Sequence, residues 1–157
     1  MYILPILGGD LYMFNKEDTQ LLNTVSETAD MAKDSTQQVL EKTTDATLKN
    51  TLQAQLKIHS DTCSKVQKIM HFDNVKAKQA SPISKFQAQI VSKIKTMTSD
   101  DRTSTIAEMV IQGTTMGVTE ITKELHNYQG TNLEIKTLAQ QYLESLEKII
   151  VEMKPFL

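Results

Sequence analysis

Tryptophan is absent from this chain, and cysteine occurs once, at Cys63. A single cysteine excludes an intramolecular disulfide and fits a reducing compartment, so a cytoplasmic location is expected. Aromatic residues make up only 5%, too few to build stacking platforms for bases or sugars. Charge of one sign is also lacking. The net charge is -2 with both signs interspersed, and no basic patch marks a nucleic-acid partner. No apolar run is long enough to span a bilayer, so no membrane-spanning segment is expected. The 5 glycines and 3 prolines leave long stretches without a breaker, and such stretches favour helices.

What the chain does contain agrees with that. Its 157 residues suit one domain with a real core. Hydrophobic residues at 39% and charged residues at 23% give the balance of a globular protein. From Phe14 onward, apolar residues recur at steps of three and four, the mark of a helix with one buried stripe. The first helix is expected over 16–42, capped by Asn15, with Leu22, Val25, Ala29, Ala32, Thr36 and Val39 buried. Thr43, Thr44 and Asp45 then offer a turn and a new cap. The second is expected over 46–71, with Leu52, Leu56, His59, Cys63, Val66 and Met70 in the seam.

A polar stretch over 73–80 reads as a crossover loop. Ser81-Pro82 reads as a cap followed by proline at the first helical position, opening a helix striped by Ile83, Phe86, Ile90, Ile94 and Met97. Thr98 to Asp101 has the spacing of a capping box before a helix over 101–128. That helix carries Ile106, Val110, Thr114, Val118, Ile121 and Leu125, and Gly130 is placed to end it in the left-handed conformation. Thr131-Asn132-Leu133-Glu134 reads as a capping box opening the last helix. Its stripe is Ile135, Leu138, Tyr142, Leu146, Ile149 and Met153, and Pro155 stops it.

Residues 1–13 stand apart, because MYILPILGGDLYM is apolar and unlike the rest of the chain. One expectation is a misassigned start, with translation beginning at Met13. The other is a short apolar arm docked on the bundle. Residues 14–157 are expected to form the single helical domain.

Few residues carry chemistry. His59 and Cys63, four apart on one helix face, have the spacing to share a soft metal such as zinc or copper. The structural reading of the same pair is a small buried thiol and a hydrogen-bonded core histidine. Glu120, Glu124 and His126 could meet a hard cation, but Lys123 among them favours a solvated face. Gly113-Thr114-Thr115-Met116-Gly117 is the most unusual segment. Each glycine inside a helix costs about 1 kcal/mol against alanine, which calls for close approach of another helix, within the chain or across a dimer. A ligand pocket lined by Thr114 and Thr115 is the alternative. No Ser-His-Asp or Cys-His arrangement can be argued from the spacing.

Three segments, Leu52 to Asp61, Ile106 to Gly113 and Leu138 to Leu143, give the layout from Phe14 onward its likeness. It resembles bacterial ferritin-like domains of uncharacterised function. The resemblance implies an all-α, antiparallel four-helix bundle, in which the helix from Pro82 is either one of the four or an extra lid. Ferritin-like di-iron sites take a glutamate from each of two helices and Glu-x-x-His from the other two. This chain has no Glu-x-x-His, since Leu56 stands three residues before His59, and Glu27, Glu41, Glu144, Glu147 and Glu152 fall off the stripes. The expected role is therefore a non-enzymatic structural or interaction protein without a cofactor, one form being a homodimer through Gly113, Thr114 and Gly117. The runner-up is a metal-binding or oxidative-stress protein using iron, zinc or manganese at His59. The third is a carrier with an apolar pocket between helices.

Overall fold

Asn15 starts the first long helix. Its side chain accepts a hydrogen bond from Asp18 N at 2.7 Å, and the Asp18 carboxylate accepts one from Asn15 N at 3.0 Å. Two of the orphan donors at the helix start are thereby satisfied reciprocally. The computed structural model describes residues 2–5, 11–70 and 82–157. The loop expected over 73–80, the Ser81 cap and the side chains of Ile83 and Phe86 lie outside the described residues.

The caps and stripes give five helices: α1 (Lys16–Lys42), α2 (Ala46–Met70), α3 (Pro82–Thr96), α4 (Arg102–Asn127) and α5 (Leu133–Met153), with a last 3-10 turn over Lys154–Phe156. Asp45 caps α2, its carboxylate accepting from Leu48 N at 2.7 Å. The fold is all-α apart from a feature that helical periodicity does not reveal. Two short strands, β1 (Tyr2–Pro5) and β2 (Leu11–Phe14), pair antiparallel with Tyr2 opposite Phe14 and Pro5 opposite Leu11. Phe14, at the end of β2, is buried in the helical core.

Three caps differ from expectation. Asp101 precedes α4 without a side-chain cap bond, so the box spacing from Thr98 is not used. Asn132, not Thr131, caps α5, accepting from Ile135 N at 3.1 Å. The register is one residue later, and the reciprocal bond from Glu134 is lost with it. Gly130 does not hold a left-handed conformation. The helix already stops at Tyr128, whose backbone is extended at φ -69 and ψ 116. This turn sends the Tyr128 hydroxyl to the buried Asp18 carboxylate and lets it accept from Asn132 N at 3.1 Å. The ring lies over Gly130, where a Cβ would come within 2.5 Å of it. Glycine is therefore needed for space, not for its backbone freedom.

α1 packs against α2, α4 and α5, α4 packs against α5, and α2 meets α5 more sparsely. α3 lies on α1 and α4. These contacts gather Leu21, Leu22, Val25, Leu52, Ile106 and Ile149, among others, into one hydrophobic core. No described helix is long and apolar enough to cross a membrane. Every stripe residue expected in α5 is buried. α2 brings one correction: Gln55 is 0% exposed, while Leu56 is only half-buried.

Candidate functional site

Small residues open the space between α1 and α4. Gly117 is buried against α1, and a Cβ there would stand 2.7 Å from Thr28 Cγ2 and 3.4 Å from Leu146 Cδ1. The glycine's bare face is thus used within the chain, and it sets how closely the two helix backbones approach. Gly113, one turn earlier, is half-buried and lines a cavity of about 50 Å³ together with Thr114.

This cavity runs along the α1–α4 groove. On α1 its lining extends from Thr28 to Val39, a span of about 16 Å at the helical rise. Its mouth is formed by half-buried residues, among them Met31, Ser35 and Val110. The floor reaches His59 of α2 and Leu146 of α5, and the buried Ile90 of α3 closes one side. Among the described residues, no Lys, Arg, Asp or Glu lines it.

His59 is 2% exposed and its Nδ1 lies 2.8 Å from the Tyr142 hydroxyl. Burial lowers the imidazole to about 4, so the ring is neutral near pH 7. Burial, with smaller effects from Cys63 and Asp30, raises the Tyr142 phenol well above its ordinary value, so its proton stays on. That proton has no other acceptor among the described residues, and the hydroxyl donates to Nδ1. The ring proton then sits on Nε2, which has no partner among the described residues.

Cys63 turns to a different neighbour. Its thiol donates to the Asp30 carboxylate at 3.2 Å. Burial first, and then that bond, push the thiol up to about 12, far from the thiolate that binds metals or attacks electrophiles. His59 and Cys63 therefore share a face of α2 but serve separate contacts, one to α5 and one to α1. Among the described residues, no three His, Cys, Asp or Glu side chains converge. Among the described residues, the cavity that His59 lines offers hydroxyls and thioethers, from Thr28, Thr114 and Met31 among others, but no carboxylate, and that lining does not fit a di-metal centre. Glu41, Glu144 and Glu147 face solvent. Glu120 pairs with Lys123 at 3.2 Å, Glu124 accepts from Gln20 at 3.1 Å, and His126 is exposed.

Buried polar residues with unpaired side-chain atoms escape a reading based on hydrophobic stripes, Asn23, Thr28 and Gln55 among them. Thr28 is 4% exposed and lines the cavity with its hydroxyl unpaired. Gln55 has both amide atoms buried and unpaired. Unsatisfied groups of this kind are rare in a folded interior, because each forfeits its hydration. A signal for Thr28 was present: it stands three residues after Val25 and four before Ala32, on the same face.

Comparison with known proteins returns nothing for this chain: no family model, no curated protein and no solved structure matches it.

Proposed function

We propose that this chain is an antiparallel bundle of the ferritin-like kind whose centre binds a small molecule in place of a metal pair, and that it works as a non-enzymatic binding protein. Several contacts support the arrangement. The first turn of α1 meets the last turn of α4 through Gln20–Glu124 and Asp18–Tyr128. Thr28 meets Gly117 further along the same two helices. Short links, 43–45 and 128–132, join α1 to α2 and α4 to α5, while α2 and α4 are separated by the long stretch 71–101 that includes α3. One long crossover between two helical hairpins is the ferritin-like connection.

The observation that carries the functional reading is the uncharged cavity that reaches His59 from the α1–α4 groove. Apolar cavities of this kind accept xenon when they are truly empty or loosely filled. Xenon NMR on the purified protein should show saturable binding, and Gly113→Leu, which fills the mouth, should abolish it while the helical circular dichroism persists. An unsaturable, non-specific xenon shift in the wild-type protein would refute the reading.

A second reading, a structural or interaction protein, has its own support. The sparse α2–α5 pair leaves a cleft of about 440 Å³ lined by Ile69, Leu133 and Leu138 beside Lys65, Lys68 and Glu134. Leu133 is 75% exposed. A homodimer through this face predicts that Leu133→Glu lowers the mass measured by light scattering, and an unchanged mass counts against it.

A further inference from the structure

The slot under α3 mixes polar and apolar lining. Leu146 touches the position of Gly117, which faces Thr28, and His59, bonded to Tyr142, lines the same slot. Thr28 brings an unpaired hydroxyl, and His59 an imidazole Nε2 without a partner among the described residues. Ser35, Thr36 and Thr114 add further hydroxyl side chains, while Val39, Met109 and Ile90 are apolar and buried.

We propose that the cavity takes a small uncharged molecule with one carbonyl or hydroxyl oxygen, that oxygen accepting from Thr28 or from His59 and the carbon body lying toward Met31 and Met109. This proposal rests on the reading of the cavity as a binding site and specifies its ligand. Three features select the class. A charged guest would surrender its hydration and meet no counter-charge, since no described lining residue carries one. His59, kept neutral by burial, does not supply one either. A wholly apolar guest would leave the Thr28 hydroxyl and the Nε2–H unsatisfied. A neutral oxygen can accept from either. Size sets the remaining limit. The volume of about 50 Å³ is a third of the roughly 150 Å³ engineered cavity that holds six-carbon benzene, so about two heavy atoms fit inside and the rest of a small guest lies in the mouth beside the half-buried Met31 and Val110.

Four near-isosteric probes separate the alternatives: acetone, acetate, acetamidinium and isobutene. Each is followed by the methyl resonances of carbon-labelled methionine in the full chain, with Met31 and Met109 reporting the cavity and Met153 as a buried control outside it. Acetone should give saturable shifts at Met31 and Met109 but not at Met153. Acetate and acetamidinium should give none. Thr28→Val should weaken acetone about tenfold, the loss of one net hydrogen bond, and leave isobutene within about twofold. Thr28→Ser should keep acetone binding close to that of the wild type. The wild-type comparison of acetone with acetate stands even if Thr28→Val fails to fold. Equal binding of acetate, or acetone affinity unmoved by Thr28→Val, overturns the proposal. Saturable xenon binding without acetone binding overturns the ligand class and leaves the site standing. Loss of both removes the site as well.

Discussion

Replacing Gly117 with alanine sets two effects against each other. Alanine favours the interior of α4 by about 1 kcal/mol over glycine. Its Cβ, however, would stand 2.7 Å from Thr28 Cγ2, where carbon atoms normally rest about 3.5–4.0 Å apart. Leu146 Cδ1, at 3.4 Å, is the end of a flexible side chain and can yield. Thr28 is β-branched and buried, so either its rotamer or the α1–α4 spacing must change, at an overpacking cost of about 1–3 kcal/mol. The single variant should therefore lose about 1 kcal/mol net. Thr28→Ser removes Cγ2 and keeps the hydroxyl. In that background Gly117→Ala should stabilise by about 1 kcal/mol, which gives a coupling of about 2 kcal/mol between the two positions. Urea unfolding of the four proteins, monitored by far-ultraviolet circular dichroism, measures this directly. If alanine stabilises equally in both backgrounds, the close approach of α1 and α4 at Gly117 is not as described.

Three further outcomes rest on named contacts. Tyr128→Phe keeps the ring over Gly130 but removes the hydroxyl that holds Asp18 and Asn132. It should cost about 1–3 kcal/mol in the same unfolding assay. Cys63, its thiol pushed up to about 12 by burial and the Asp30 bond, should react with iodoacetamide at about pH 8 at least roughly a hundredfold more slowly in the folded than in the unfolded chain. Asp30→Asn should narrow that gap, and equal rates would contradict the burial. His59 makes stability depend on pH. Its folded value of about 4 lies below its ordinary 6.5, so between the two the unfolded chain binds a proton that the folded chain does not. The contribution is full above pH 6.5 and falls, by on the order of 3 kcal/mol in all, as pH drops toward 4. His59→Gln should flatten that part of the stability profile.

Helix positions are legible in the sequence because caps and breakers act locally. Asn15, Asp45 and Pro82 each stand where their helix begins, and the strongly apolar α5 stripe is buried throughout. The seam of α2 shows where periodicity runs out. Gln55 and Leu56 both stand three or four residues from Leu52 and from His59, so spacing alone does not choose between them. Hydrophobicity favours Leu56, yet packing buries Gln55. Gly130 fails for a tertiary reason, since α4 ends where Tyr128 reaches Asp18 on α1, 110 residues away in sequence. The N-terminal ribbon is short and lacks the helical period, although its two apolar runs flank Gly8-Gly9, a pair typical of hairpins. As for the candidate site, His59, Gly113, Thr114 and Gly117 can be picked out from the chain. The His59–Tyr142 bond and the unpaired Thr28 hydroxyl depend on how three helices converge, and no local pattern encodes that.

Ligand choice and His59 chemistry both depend on an uncharged middle of this bundle. Nitrogen NMR of the histidine rings, recorded from neutral to acid pH, tests it most directly. His59 should keep a single neutral tautomer, protonated at Nε2, until the pH falls to about 4. A His59 ring that gains its proton near 6.5, or that carries its neutral proton on Nδ1, would rule out a buried, neutral imidazole accepting from Tyr142.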